Sequence, residues 1–482
     1  MKKTGDEYYD SDEFREMLDE YEKAVEAGMP VFLDADELAE IADYYQMTEQ
    51  QGKADEAIDY ALSLSPGAVA PLTYKIHEAL WNGNTEEARE YLDSIIDTDE
   101  PEYVYDKAEI LMAEEREKEA DDYLREEMRK VPEDELQDYI IDVANLWADY
   151  NYPEKAMEWM SRAKQEDTPD FKELMGRTLF GLGKYKDSQR IYNELLDSDP
   201  FSKYYWNALA SAQLMDEDYG SAIQSSEYAI AIDPTDPDGL LSKANALLRL
   251  NNYGEALEYF RRYSKEVPDD ESALLHQGTC LINMERAEEA ADVLIDALDV
   301  AAGRDDYLPD IYQELAFAYS EMGETRKAME LLDIAGELDN SDHVQTEVMK
   351  GHILLADGLM DEAEKHYKTA VADSPEPMQT LLRVIVSIFD NRYTEAAYAL
   401  FTNYFRVAAE NHREGYAYMA LCCYELKRYT EFLEYLEKAC RLNPKECKLV
   451  LGHLFPEEVE PQDYYNFLQG DVTTLEERQT DD

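Results

Sequence analysis

The sequence predicts an all-α chain of tandem helix pairs stacked as a solenoid, and three observations predict it. Small residues recur at a near-constant interval, first at Ala57, Ala88, Ala120, Ala156, Ser188 and Ala222, then at Ala256, Ala290, Ala328, Ala363 and Ala396. Their spacings run from 31 to 38 residues, with 34 the commonest. A second small residue stands 12 positions earlier in most units, at Ala108, Ala144, Gly176, Ala210, Ala244, Gly278, Ala316, Gly351 and Ala420, with Ile76 and Val384 as exceptions. Proline closes many units, at Pro66, Pro132, Pro200, Pro234, Pro268, Pro375 and Pro444. Small side chains let two helices approach closely, and proline stops a helix because it lacks the N–H and its ring clashes. Each unit therefore reads as helix, turn, helix, stop. A fixed period of this length marks units that bury their apolar faces only by stacking on their neighbours.

In chain order, residues 1–33 read as an acidic tail and a capping helix. Ser11 or Asp12 can N-cap that helix, with Phe14, Leu18, Tyr21 and Val25 on one stripe and Gly28 at its end. Residues 34–444 hold about twelve repeats. Residues 445–482 supply capping helices, one through Leu454 and a short one over 461–469, then a second acidic tail. The tails 1–10 and 473–482 read as disordered. Three local departures are expected: a shortened second helix in the first unit, a turn interrupted by Pro153 after Tyr152, and packing displaced by Phe432, where a small residue belongs.

Composition sets limits on function. The 482 residues are 45% hydrophobic, enough for a folded core, and 37 of them are Tyr, whose ring packs while its tip stays polar. With 109 acidic and 45 basic side chains, the net charge is −64. Residues 1–150 alone hold 44 acidic against 13 basic side chains. Such a surface repels nucleic-acid phosphates and anionic lipid headgroups, so neither nucleic acid binding nor membrane insertion is expected. It attracts basic protein surfaces, although solubility of a long exposed surface also accounts for it. Met1-Lys2-Lys3 is followed by acids rather than an apolar run, which points to the cytoplasm. The five cysteines, Cys280, Cys422, Cys423, Cys440 and Cys447, form no C-x-x-C pair and read as reduced structural thiols.

Particular units carry more than periodicity. Trp206-x-x-Leu209-Ala210 followed by Tyr219, Ala222, Ala229 and Pro234 resembles a tetratricopeptide repeat. So do Gly176, Gly183, Tyr185, Ser188, Tyr192 and Pro200, and Tyr312-x-x-Leu315-Ala316-x-x-Tyr319 with Gly323 and Ala328. The resemblance implies antiparallel helix pairs in a right-handed superhelix whose first helices line a concave groove. It also implies a protein that holds other proteins.

No constellation points to catalysis, a cofactor or a metal. Gly176 to Gly181 has the glycine spacing of a phosphate-binding loop, but Leu182 stands where Lys is needed. His77-Glu78 opens like a zinc-protease helix, but Trp81 replaces the second His. Adjacent acids such as Asp121-Asp122 read as solvated helix faces in so acidic a chain. The partner-facing positions implied by the resemblance follow each small residue of the first helix. Among them Asn145, Arg177, Asn245 and Thr279, with Asn207 one turn before Ser211, form a polar set whose amides can bond an extended peptide backbone. The alternative is a merely solvated face. A chaperone-type carboxylate clamp is not expected, because Ser272 and His276 stand where basic groups belong.

The segment from Met378 to Phe389 is apolar on nearly every face, so something must cover Leu381, Ile385, Ile388 and Phe389. A bound partner, a second copy and the chain's own packing are the three candidates. The sequence therefore leads to a non-catalytic scaffold binding protein or peptide partners, basic ones included. A self-associating assembly subunit and a regulatory arm for a separately encoded enzyme are the alternatives.

Overall fold

The computed structural model describes residues 8–9, 11–48, 50–164, 167–302, 306–408, 412–456 and 459–469. Nearly all of the two acidic tails lies outside them. Among the described residues the chain is helical throughout, and helices from Ala35 to Leu442 form twelve pairs. The first is Ala35–Met47 with Gln51–Leu64 and the last is Tyr416–Glu425 with Tyr429–Leu442. We call the first helix of each pair A and the second B. The chain divides into two compact units, residues 1–232 and 233–482, with six pairs in each.

Local sequence explains where these helices start and stop. Many A helices begin at a side-chain cap: Asp34, Thr168, Ser202, Asp236, Asp270 and Asp342 each accept a backbone N–H of the first turn. Most B helices lack such a cap, because the tight turn before them fixes their start. In eleven pairs that turn passes through one left-handed residue. At Gly323 (φ 75°) the turn bonds Gly323 N–H to Ser320 and Glu324 N–H to Tyr319, satisfying the end of helix A. Glycine holds four of these positions; the rest include Asn151, Glu217, Glu285 and Lys427.

Each pair is held by close approach at its small residues. The B-helix positions Ala88, Ala120, Ala156, Ser188, Ala222, Ala256, Ala290 and Ala328 are all sealed from solvent. Facing them, Gly278 comes so near its partner that an added Cβ would sit 2.5 Å from Leu294 Cδ2. At Gly351 the same atom would lie 2.4 Å from the Tyr367 ring. Ser188, standing in for alanine, donates its hydroxyl to the Gly176 carbonyl at 2.8 Å.

Tyrosine phenols tie neighbouring repeats to carboxylates. In the N-terminal unit Tyr105 donates to Asp142 at 3.1 Å, Tyr152 to Glu117 at 2.9 Å and Tyr205 to Glu173 at 3.3 Å. In the C-terminal unit Tyr398 donates to Glu431 at 2.5 Å.

Several expectations need correction. The first pair's B helix, Gln51–Leu64, is full length; the short one is Pro153–Met160. Pro153 opens that helix at a position needing no N–H, and the turn before it is the ordinary one through Asn151. In the eleventh pair the sealed residue is Ala397, not Ala396, so the A-helix position opposite is Ile385 rather than Val384. Phe432 displaces nothing; it is 1% exposed, within a large aromatic and aliphatic cluster. Tyr8 and Tyr9, assigned to a disordered tail, pack on Phe14, and Tyr9 also reaches Tyr44. Val25 leaves its stripe for solvent, and Ala24 takes its place.

Asp121 is also not a solvated acid. It is 6% exposed and accepts from Trp159 Nε1 at 2.9 Å, Lys155 at 2.7 Å and Arg125 at 2.9 Å, joining two successive B helices. Burial pushes its carboxyl up, but these three donors outweigh burial and hold it below its ordinary value. Asp121→Ala strands those donors and should cost about 3 kcal/mol. Asp122→Ala, on the exposed neighbour, should stay within about 0.5 kcal/mol. Gly278→Ala should cost about 1–3 kcal/mol by forcing Leu294 aside. Urea and thermal unfolding followed by circular dichroism measure all three.

Candidate functional site

Because the small A-helix residue faces helix B, the next residue turns about 100° away from it, toward the more open side of the pair. His77 at this position is exposed, while Glu109, Asn145, Arg177, Ser211, Asn245, Thr279, Phe317, His352, Val386 and Leu421 are half-buried. This face is the candidate site, and it differs between the two units.

In the N-terminal unit, hydrogen bonds tie successive A helices across it. His77 Nε2 lies 3.3 Å from Asp106 Oδ1 and 3.2 Å from Glu109 Oε2. Tyr150 donates to Glu109 at 3.4 Å. Arg177 spans the next interval, with Nη2 on Asn145 Oδ1 at 2.8 Å and Nη1 on Asp149 Oδ1 at 2.7 Å. Asn145 thus has its acceptor engaged by the chain itself, and Asn207 is nearly enclosed at 8% exposure. Nothing in the sequence reveals this, because the neighbour that occupies Asn145 lies 32 residues away.

Hydrogen bonds to Asp106 and Glu109 raise the His77 pKa to about 10. Before that histidine lies an open cleft of about 1190 Å³, framed by Ala35–Met47, Val69–Trp81 and the start of Pro101–Ala113. Asp36, Glu40 and Asp43 line one wall and Glu78 the other, with Asp97 and Glu102 at the end. Asp43 is exposed, yet the walls of the cleft crowd it. Lost hydration pushes its carboxyl up to about 6, with His77 opposing and Glu40 adding. Trp81, the last residue of its helix, projects into solvent at 89% exposure. Trp81 registered in the sequence only as a residue breaking a zinc motif; its place at a helix end is the signal that it faces water.

In the C-terminal unit Asn245 is half-buried, and among the described residues nothing bonds its amide. Thr279 donates to Leu275 of its own helix at 3.2 Å. A second cleft, of about 660 Å³, is lined by Phe317, Val348, His352, Val386, Tyr418 and Glu446, among others. His352 stacks on Phe317 with ring centroids 5.3 Å apart. Burial lowers its pKa, and the neutral ring accepts at Nδ1 from Ser387 Oγ (2.9 Å) and Asn391 Nδ2 (3.1 Å). Ser387 beside His352 satisfies half of a nucleophile–base pair. However, Ser387 is 6% exposed and also bonds the Tyr367 phenol at 2.7 Å, an arrangement of a closed polar network. Glu314, on the helix Leu308–Glu321, has its carboxyl raised to about 7 by burial, with Asp310 adding.

The apolar helix is Pro377–Asp390, and the chain itself covers it. Ile385 is sealed and Phe389 is 7% exposed, so neither can meet a partner; the binding role expected of them is corrected to core packing. Ile385 stands opposite Ala397, where most other pairs carry Ala or Gly, and so falls in a crowded layer. Phe401, Phe432 and Leu436 fill one side, and Leu381 packs partly buried against this cluster. Ile388 touches the same cluster and also that of Leu354, Tyr367 and Val384.

All five cysteines are free and buried, and Cys440 Sγ lies 3.5 Å from Cys447 Sγ. Among the described residues no group of His, Cys, Asp and Glu is disposed to hold a metal, and no helix is long and apolar enough to cross a membrane.

Comparison with known proteins finds repeat-family likeness over parts of the chain. Family models of the tetratricopeptide repeat match residues 174–237 and 414–446. The model described as anaphase-promoting complex, cyclosome, subunit 3 matches residues 215–297. Protein FlbA of Caulobacter vibrioides is 25% identical over 260 residues. That match takes in 46% of this chain and 44% of FlbA, so the chain spans under half of its relative's length. Among solved structures, MamA of Desulfovibrio magneticus RS-1 is 18% identical, covering 36% of this chain and 97% of its own, with a TM-score of 0.34. YrrB, described as a TPR protein with an unusual peptide-binding site, is 21% identical over 40% of this chain and 95% of its own, with a TM-score of 0.33.

The histidines make a pH prediction. At about pH 8, His77 should be protonated while His276 and His352, lowered chiefly by burial, are neutral. Histidine-selective NMR reads the three states directly. The stability His77 contributes is complete below its ordinary 6.5 and fades as pH rises through about 10. The two lowered histidines act the other way: their contribution is present above 6.5 and fades as pH falls below it. Ile385→Ser should cost about 3–5 kcal/mol in thermal unfolding, since it empties a sealed position and buries a hydroxyl.

Proposed function

We propose that this chain, a tetratricopeptide-repeat protein, is a non-catalytic scaffold that holds extended segments of partner proteins against the open faces of its A helices. The observation that carries the reading is the register of those faces. One half-open side chain per pair recurs at a regular step, and each unit has a large open cleft on that side. Regular polar and apolar side chains along parallel helices suit an extended chain better than a compact small molecule, whose pockets are more enclosed. Asn245, with its amide unengaged among the described residues, is the polar contact that best keeps the role expected from sequence. Five free thiols fit a reducing compartment such as the cytoplasm. Self-association through the apolar helix has lost its support, because Ile385 and Phe389 are inside.

Affinity capture with the full chain and paired variants tests the proposal. Phe317→Glu with Val386→Glu places two charges in the C-terminal cleft, whereas Ile295→Glu alters an exposed B-helix position. Loss of a stoichiometric partner with the first variant and retention with the second is the expected outcome. A partner lost only with the B-helix change would sink the assignment of the A-helix face. Sedimentation of the purified chain should show one species independent of concentration.

A further inference from the structure

From the N-terminal cleft we infer a docking site for an extended Lys- or Arg-bearing segment of a partner protein, with Trp81 taking one cation on its indole face. The inference rests on the scaffold reading above and names the partner chemistry for one of its faces. The cleft is a wide trough rather than a surface cluster of acids. Its volume, about 1190 Å³, exceeds the ~300–1000 Å³ that enclose a drug-sized ligand and leaves room for several residues of chain.

Two independent features point to a cationic occupant. The first is the exposed indole. A tryptophan at 89% exposure adds nothing to the packing of its own helix, yet it borders the cleft beside Glu78. Tryptophan is the side chain best suited to bind Lys or Arg over its face, and it is enriched at the energetic centres of interfaces. The second is the want of cations on the walls. Glu78 has Lys75 at 2.8 Å, but among the described residues no Lys or Arg pairs with Asp36, Glu40 or Asp43. His77, the one positive group lining the cleft among the described residues, is already held by Asp106 and Glu109. A segment bringing its own cations would relieve the crowding of these carboxylates and let the indole lose water. An acidic segment would meet repulsion from both walls.

A short fluorescein-labelled peptide alternating Lys with Gly, titrated into the full chain by fluorescence anisotropy, tests the inference, with a Glu–Gly peptide as control. Two variants carry the same change of net charge. Asp36→Lys with Asp43→Lys reverses the cleft, and Glu90→Lys with Asp93→Lys reverses the exposed side of the B helix Thr85–Ser94. The cleft variant should weaken binding by about tenfold and the B-helix variant by less than about twofold. Trp81→Ala, at an exposed position that leaves the fold intact, should weaken it by about threefold and abolish any quenching of tryptophan emission. Equal losses from both charge reversals would mean diffuse attraction to an acidic chain and would overturn the inference. So would unchanged affinity in Trp81→Ala, or equal binding of the Glu–Gly peptide. Circular dichroism checks the fold of each variant; if the cleft reversal unfolds, Trp81→Ala decides. A partner still captured by the cleft variant would leave the scaffold standing while this site fell.

Discussion

The close approach of the two helices in each pair is the constraint on which the rest depends. At most crossings there is room for hydrogen or methyl and little else, as the Gly278 and Gly351 contacts show. That closeness fixes which residue of helix A points inward. It therefore fixes which residue, one step along, is left on the open face. Recognition surfaces in this molecule are consequences of a packing rule: the same periodicity that seals Ala88 or Ala290 sets the step of the side chains offered to a partner.

Against that short-range attraction stands a long-range repulsion. A net charge of −64 opposes compaction over distances of about 8–10 Å at ordinary ionic strength, while helix contacts act only on touching atoms. The chain meets the repulsion locally. Asp121 gathers an indole N–H, an ammonium and a guanidinium; Glu109 gathers a histidine and a phenol. Acids on the open faces of the N-terminal unit are thus partly consumed in holding successive repeats together, except in the first cleft, where Asp36 and Asp43 remain unpaired by Lys or Arg among the described residues.

Much of this was legible beforehand, and the failures have specific causes. Small residues at a fixed step reveal the pairs because steric exclusion acts on each unit alike. The phase slipped by one residue at Ala396–Ala397, where two alanines stand together and only burial chooses between them. That slip carried Ile385 onto the partner face by mistake. Asp121 was misjudged, and the engagement of Asn145 by Arg177 was missed, for another reason. Their partners Trp159 and Arg177 lie about one repeat away, and a single helix read alone does not say what leans on it from the next.

The tyrosines give the chain a property that its composition alone does not suggest. Repeats in acidic proteins are usually imagined as stitched by ammonium and guanidinium groups, whose attraction to carboxylates fades as mobile ions accumulate. Here many stitches are neutral phenols donating to carboxylates, as in Tyr105–Asp142, Tyr152–Glu117 and Tyr398–Glu431. A neutral donor has no charge for an ion atmosphere to mask. The joints between neighbouring repeats can therefore keep their stiffness in brine as in dilute buffer, while the carboxylate-lined exterior loses its reach. Ionic strength would tune how far this molecule is felt far more than it would loosen these phenol joints.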